Sequence, residues 1–531
     1  MMDTTLAKPK STRGRLSRIP SPVLYAIYAL ALAVSISIWF IAIRAPLWTD
    51  ETGSYWVIKD GISQIWSHTG MCFPSYFYIL WLWAKVVGTS EVALRSLSIL
   101  AMLGAVWLLY LVARELFSRE IAFLATIIFC LHPILIFESV DVRPYAFAML
   151  VTNAAILVLL RMRRSDSNWL AAVFGLLAAA ILYFHFIFAT ILPAFVIVFF
   201  YIKTGNRKTI WRQFGVATAV FVLAFLPLIP GLYFMFHTAG SHVYEAPPQI
   251  GDLLWTLLPA LLPFVFCGSL LVAGLLDAFS RKRVSKGHFE GWRVVVCVSL
   301  GLIPLLILYG VSAATPIHTF AARHRTDAIP GLALCWALLI ERYFNRPVRL
   351  LFCVALVACT AYLYFTNTAA REHSVTWKYA LEIVQKDASV DNAPLLMCSD
   401  FPEADYVPMP LGLAKTSRFF APLSYYKVTV PVVPLPRALN EEAIRVGSQS
   451  LAEATRKHER FLAMGYEHSY ETLDWLSRQA SADYTVQNLG IFDKIKVLEF
   501  DPRVPAIPPG GRAWGQPLRP SAKAASRPAR P

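Results

Sequence analysis

Charge is scarce in this 531-residue chain: Asp, Glu, Lys and Arg make up 16% of it, against 56% hydrophobic residues. A soluble domain carries nearer a quarter. The shortage excludes an ordinary water-soluble fold for most of the chain and points to a membrane protein. Acids are the scarcer sign, 34 against 49 basic residues. The excess of +15 does not indicate nucleic acid, because the basic residues fall in short clusters between apolar runs. That is how a polytopic membrane protein records its orientation. Cysteine is sparse too. Of eight, six lie within apolar runs, and only Cys72 and Cys398 stand in aqueous-looking surroundings. No CxxC and no Cys/His ligand spacing occurs, which excludes a disulfide framework and a structural zinc. No small-residue cleavage site follows the first apolar run, so that run is expected to be a retained helix. No internal repeat is visible, which argues against an inverted-repeat transporter.

The apolar runs are abundant. They lie at about 22–43, 92–113, 121–137, 145–160, 169–184, 186–202, 214–236, 252–277, 293–314, 326–341 and 349–368, which predicts an α-helical polytopic protein of about eleven transmembrane helices. Alternate loops carry the basic clusters, among them Arg161, Arg163 and Arg164, then Lys203, Arg207, Lys208 and Arg212. The opposite loops hold few bases, so the positive-inside rule sets the N-terminus in the cytoplasm. Ser75–Val87 is too short to span and reads as an interfacial or re-entrant helix. The expected organisation is a basic cytoplasmic N-terminus (1–21), a transmembrane domain (22–368) with a first outer loop at 44–91, a small C-terminal extracytoplasmic α/β domain (369–501) and a disordered tail (502–531). In the α/β domain we expect a helix over Trp377–Gln385, a strand over Leu395–Met397, an amphipathic helix over Glu441–Met464 and strands within Asp483–Phe500.

This topology puts the chemically interesting residues on the outer side. Asp50 and Glu51 directly follow the first span, where acids also serve as ordinary helix starts. Arg143 is the only base in a short outer loop; its planar guanidinium suits a phosphate, although Glu138 and Asp141 stand near it in sequence. Tyr145 follows it closely. His185 lies in aromatic company between two spans, where packing is the commoner role. Arg323-His324-Arg325 precedes the tenth span and fits either a lipid headgroup or the anionic part of a substrate.

These motifs carry a resemblance. Thr49-Asp-Glu51 in the first outer loop is followed by Trp81-Leu-Trp83-Ala-Lys85-Val-Val-Gly88 and Glu91-Val-Ala-Leu-Arg95. Then come Arg143-Pro-Tyr-Ala146, Leu182-Tyr-Phe-His185 and Arg323-His-Arg-Thr-Asp-Ala-Ile-Pro-Gly331. The ordered set, over about residues 20 to 370, resembles the GT-C glycosyltransferases. More closely it resembles the bacterial protein O-mannosyltransferase and lipid A aminoarabinose transferase group, with the lipopolysaccharide galacturonosyl and mannosyl transferases beside them. The resemblance implies a polyprenyl-phosphate sugar as donor, an acceptor (lipid, glycan or protein) in the periplasm or outside, and residence in the inner membrane. It also implies that the first-loop acid, Asp50, is the base, with Glu51 as its neighbour. One departure stands out: relatives usually carry His-Pro-Pro or Lys-Pro later in that loop, where this chain has Cys72-Phe-Pro-Ser-Tyr76. His68 is the candidate substitute.

A mechanism follows from this set. A sugar on a lipid phosphate already has a good leaving group, so the barrier lies in the oxocarbenium-like centre and in activating an acceptor hydroxyl. Asp50 would take the acceptor proton during inverting attack, with Glu51 beside it as the second catalytic acid. Arg143 and Arg323 would hold the donor phosphate. His68, Tyr145, His185 and His324 would contact substrate. No cofactor is expected, and two acids alone do not specify a divalent cation. The competing readings are a transporter or flippase of lipid-linked glycans, which would place its charges near mid-membrane, and a non-catalytic scaffold, which leaves Asp50 unexplained.

Overall fold

The structure is a computed structural model, and it describes residues 20–69, 74–238, 246–259, 261–280, 290–316, 318–367, 376–388, 391–401, 417–456 and 459–503. The basic N-terminus, the Cys72-Phe73 departure and the tail from 504 lie outside the described residues. Helices occupy all eleven expected places. Among the described residues, six are long and apolar enough to cross a membrane alone: Ser21–Ala42, Glu91–Leu116, Tyr145–Met162, Arg207–His237, Gly291–Ala314 and Arg346–Thr366. Two others, Asn168–Phe184 and Phe186–Ile202, are apolar but shorter.

The remaining expected spans are interrupted, each for a local reason. The run at 121–137 splits into Arg119–Cys130 and Pro133–Glu138, because Pro133 cannot continue the ladder and starts a new helix instead. The run at 252–277 becomes Ile250–Leu257 and Leu261–Leu275, bent by 54° at the break. The run at 326–341 begins as a 3-10 turn over Ala322–Ala328 and becomes α-helical only from Ile329 to Tyr343.

Packing follows the apolar pattern. In the first helix, Leu24, Tyr28, Ala31 and Ser35 form a buried stripe at helical spacing, while the rest of an almost wholly apolar surface points outward. Such a helix suits a bundle on one side and lipid on the other. Glu91–Leu116 and Tyr145–Met162 pack along their lengths at the centre of the bundle, joined by an Asn153 side-chain amide that donates to the Ala105 carbonyl at 2.9 Å. Interhelical polar bonds of this kind replace the water-driven association missing in lipid. Gly301 and Gly331 let two further helices touch backbone to backbone: a Cβ on Gly331 would lie 2.1 Å from the Gly301 nitrogen.

The C-terminal domain carries a five-stranded mixed sheet of order β2-β1-β3-β5-β4, with β1 at Leu395–Cys398, β2 at Val432–Leu435, β3 at Phe461–Tyr466, β4 at Tyr484–Phe492 and β5 at Ile495–Pro502. β1 runs parallel to β2 and β3, and β5 runs antiparallel to β3 and β4. Asp493 and Lys494, both at positive φ, make the tight turn between β4 and β5. The expected helix over Glu441–Met464 stops at Thr455, and its last part is β3 instead. Phe461, Leu462, Ala463 and Met464 are buried on both faces of the sheet, so they show no alternation to betray a strand. β2 was not expected; Pro434 is tolerated there because the strand lies on the edge. Cys398, expected to be aqueous, is buried in β1.

Candidate active site

The site is built on the helix Thr49–Lys59, which starts three residues after Pro46. Its first turn carries Asp50 and Glu51, adjacent residues that a helix projects about 100° apart. Their surroundings therefore differ completely.

Glu51 points inward and is fully buried. Arg95 meets it with two parallel bonds, Nε to Oε1 at 2.8 Å and Nη2 to Oε2 at 2.5 Å. The Val142 and Trp48 backbone N–H groups donate to the same carboxylate at 3.1 and 3.2 Å. Arg95 also donates to the carbonyls of Ala42 (3.1 Å), Ile43 (3.3 Å), Ala45 and Pro46 (3.0 Å). One fork thus ties together the end of the first span, the loop that follows it and the start of the Glu91–Leu116 span. Glu51, read from sequence as a second catalytic acid, has both oxygens engaged in this lock. In the sequence Arg95 stands out only as the end of the Glu91–Arg95 motif. The signal that could have found it is an arginine inside an apolar run, where a charge needs a buried partner.

Asp50 faces another side of the helix and keeps part of its side chain open to solvent. Its Oδ2 lies 3.8 Å from Nη2 of Arg143 and 4.0 Å from Nη1 of Arg323. At these separations the groups attract one another without being hydrogen bonded. Arg143 reaches Asp50, whereas its neighbours in sequence are used otherwise: Asp141 accepts from the Trp48 indole at 3.0 Å, and its carbonyl accepts the Arg143 N–H at 2.8 Å. Trp48, also unnoticed in the sequence, thereby fixes the loop that presents Arg143. Glu138 is buried nearby. Burial and the neighbouring Asp141 push its carboxyl well above the usual range, against the pull of Arg323 and Arg143.

Tyr145, His185 and His324 form an aromatic wall beside the two arginines. Tyr145 stacks on His185 with centroids 4.8 Å apart, and His324 lies 5.8 Å from His185. His324 donates from Nδ1 to the Thr319 carbonyl at 2.8 Å. Burial, reinforced by Arg323, holds the His324 pKa down to about 3, so the ring is neutral and its Nε2 is an acceptor. The Tyr145 hydroxyl is buried and has no hydrogen-bond partner among the described residues. A buried hydroxyl left in that state is costly unless a ligand completes it. His68 is not brought to this cluster. Its ring packs tilted against Trp56 with centroids 4.3 Å apart, and its Nδ1 donates to the Val57 carbonyl at 3.2 Å.

The other residues of the Arg323–Asp327 run support the wall. Arg325 donates to the Asp252 carbonyl at 2.7 Å and the Thr256 hydroxyl at 2.8 Å. Asp327 accepts from the Thr190 hydroxyl.

The C-terminal domain seats directly on the Thr49–Lys59 helix. Trp48 bridges Thr376, the Tyr426 hydroxyl donates to the Leu47 carbonyl at 3.0 Å, and Tyr55 packs edge-on against Tyr425 at 5.1 Å. Among the described residues, no three His, Cys, Asp or Glu side chains gather as a metal site.

Comparisons with known proteins agree with this architecture. Residues 68–234 match the model of a family described as dolichyl-phosphate-mannose-protein mannosyltransferase. The chain is similar to the crystal structure of ArnT from Cupriavidus metallidurans in the apo state, at 11% identity and a TM-score of 0.51, over 90% of this chain and 98% of ArnT. It is similar to the same protein bound to undecaprenyl phosphate at 12% identity and a TM-score of 0.50, over 91% and 98% of the two chains. The archaeal oligosaccharyltransferase AglB from Archaeoglobus fulgidus, in complex with an inhibitory peptide and a dolichol-phosphate, aligns at 12% identity and a TM-score of 0.47, over 92% of this chain and 75% of AglB. No curated protein matches the sequence. The helical membrane domain, the loop after its first span and the small C-terminal sheet together give this chain the GT-C fold.

Proposed function

We propose that the protein transfers a sugar from a polyprenyl-phosphate donor to a hydroxyl-bearing acceptor on the outer side of the inner membrane, with inversion at the anomeric carbon. The N-terminus then lies in the cytoplasm and the C-terminal domain outside it, as the basic loops favour. The observation that carries the reading is the placement of one partly open carboxylate, Asp50, between two guanidinium groups on different segments. A carboxylate and a phosphate have the same use for those guanidiniums. When a donor phosphate takes them over, Asp50 loses its counter-charges and becomes free to accept a proton.

The reaction then runs in one step. The acceptor hydroxyl gives its proton to Asp50 as its oxygen forms a bond to the anomeric carbon. The bond from that carbon to the phosphate oxygen breaks with its electron pair, and the polyprenyl phosphate leaves with its new charge facing Arg143 and Arg323. The Tyr145 hydroxyl and the neutral His324 offer a donor and an acceptor for sugar hydroxyls. Glu51 and Arg95 take no part in bond making; they hold the turn that carries Asp50. A largely apolar cavity of about 200 Å³, lined by Leu131, His132, Leu262, Leu356 and Tyr364, suits part of a prenyl chain. Thr256 links its wall to the Arg323–Asp327 run: His132 contacts the Thr256 carbonyl at 3.4 Å and Arg325 donates to the Thr256 hydroxyl at 2.8 Å.

Arg143→Ala and Arg323→Ala should each raise the donor KM or lower kcat/KM for donor by roughly 10²-fold, the scale seen when one preorganised anion donor is removed. Membranes supplied with a labelled polyprenyl-phosphate sugar provide the assay. If the two variants impair only the use of acceptor, the phosphate assignment is wrong.

A further inference from the structure

Asp50 is the second residue of its helix, so its direction depends on how the first residue, Thr49, is held. Thr49 is buried, although it stands beside a partly open acid in an outer loop. Its hydroxyl makes two bonds, and both partners belong to the C-terminal domain. It donates to Oδ2 of Asp400 at 2.7 Å and accepts from the Trp377 indole N–H at 3.1 Å. These partners are more than 320 residues away in sequence, at separations of 351 and 328.

Both partners are themselves fixed. Trp377 is 1% exposed and packs in the cluster that includes Leu395 and Met397 of β1. Its neighbour Thr376 is anchored by a backbone N–H bond of 2.6 Å to Asp493 in the β4–β5 turn. Asp400 lies two residues beyond β1, in a turn where the Ser399 hydroxyl donates to the Phe419 carbonyl at 2.7 Å and accepts from the Phe401 N–H at 3.1 Å. Phe401 in turn closes on Gly53 of the same helix, where an added Cβ would lie 3.3 Å from the ring. Thr49 is thus the point at which the rigid sheet grips the first turn of the helix.

We propose that Thr49 is a positioning residue for Asp50, held by Asp400 and Trp377, so that the C-terminal domain sets the direction of the base. The proposal rests on Asp50 being the base. A displacement of about 1 Å at a reacting group can cost 10²-fold in rate, so the relay acts on turnover rather than on donor binding, which belongs to Arg143 and Arg323. The chemistry of the grip is specific. Position 49 must both donate and accept, which serine can do and valine, of nearly the same shape, cannot. Position 400 must only accept, which the amide oxygen of asparagine can do and alanine cannot.

The test uses the full-length protein in membranes with a labelled polyprenyl-phosphate sugar, and records kcat and donor KM separately. Thr49→Val and Asp400→Ala should each lower kcat by about 10–10²-fold with donor KM within about threefold of the parent. Thr49→Ser and Asp400→Asn should restore kcat to within about threefold. The double variant Thr49→Val/Asp400→Ala should lose no more than either single, because both break one link. Unchanged kcat in Thr49→Val, or an equal loss in Thr49→Ser and Asp400→Asn, overturns the proposal; the conservative pair decides it even if Asp400→Ala fails to fold. Loss of transfer in Asp50→Asn together with full activity in Thr49→Val refutes the relay alone. Retained transfer in Asp50→Asn refutes the base itself.

Discussion

Arg95→Ala should leave little folded protein. The substitution strands the Glu51 carboxylate in a site from which water is excluded, and breaking a buried pair in this way costs about 3–5 kcal/mol. It also removes the donors to four carbonyls that end the first span and begin the loop after it. The Ala42 carbonyl keeps the Ala45 N–H, but the other three lose a strong donor at a buried position. Glu51→Ala should be comparably harmful, since it leaves the Arg95 cation without its carboxylate. The double variant should lose less than the sum of the two, as partners in one interaction do. Yield of monodisperse protein in detergent and its melting temperature are the readouts. A Glu51→Ala protein that folds with parental stability but has no transfer activity would instead return Glu51 to the chemistry.

The contrast between Glu51 and Asp50 shows what sequence could and could not resolve. Two adjacent acids after a first span signal a special loop, but not which of them does chemistry. That depends on Arg95, 44 residues away, and the separation is visible only once the helices are packed. Arg143, Tyr145, His185, Arg323 and His324 were legible as a set because a membrane reduces the problem: alternate loops share one side, so polar residues at the corresponding ends of apolar runs are neighbours by topology. His68 did not join them, because its loop folds back so that the ring lies on Trp56.

The same reasoning explains the misread elements. Apolar runs locate helices in lipid well, but they do not show where a proline or a 3-10 turn will interrupt one, as at Pro133 and over Ala322–Ala328. In the C-terminal domain β3 was hidden because it lies inside the sheet with both faces covered, while the exposed β4 alternates and was expected. The bonds of Thr49 to Asp400 and Trp377 carry no local signature at all. A threonine before an acid at a helix start is ordinary; only the docked sheet gives it a second meaning.

Asp50→Asn removes a proton acceptor and almost nothing else. Asparagine has nearly the same volume, and Asp50 makes no hydrogen bond with either arginine, so folding and membrane insertion should be unaffected. A positioned general base contributes about 10²–10⁴-fold. Loss of its charge also removes the electrostatic support for the positive centre that develops at the anomeric carbon. Donor binding should persist, and could tighten, because the two guanidiniums no longer share their charge with Asp50. The decisive measurement compares Asp50→Asn with the parent, in membranes of equal protein content, for transfer from a labelled polyprenyl-phosphate sugar and for retention of that donor. The account predicts transfer reduced at least about 10²-fold with donor still bound; transfer at the parental rate would contradict it.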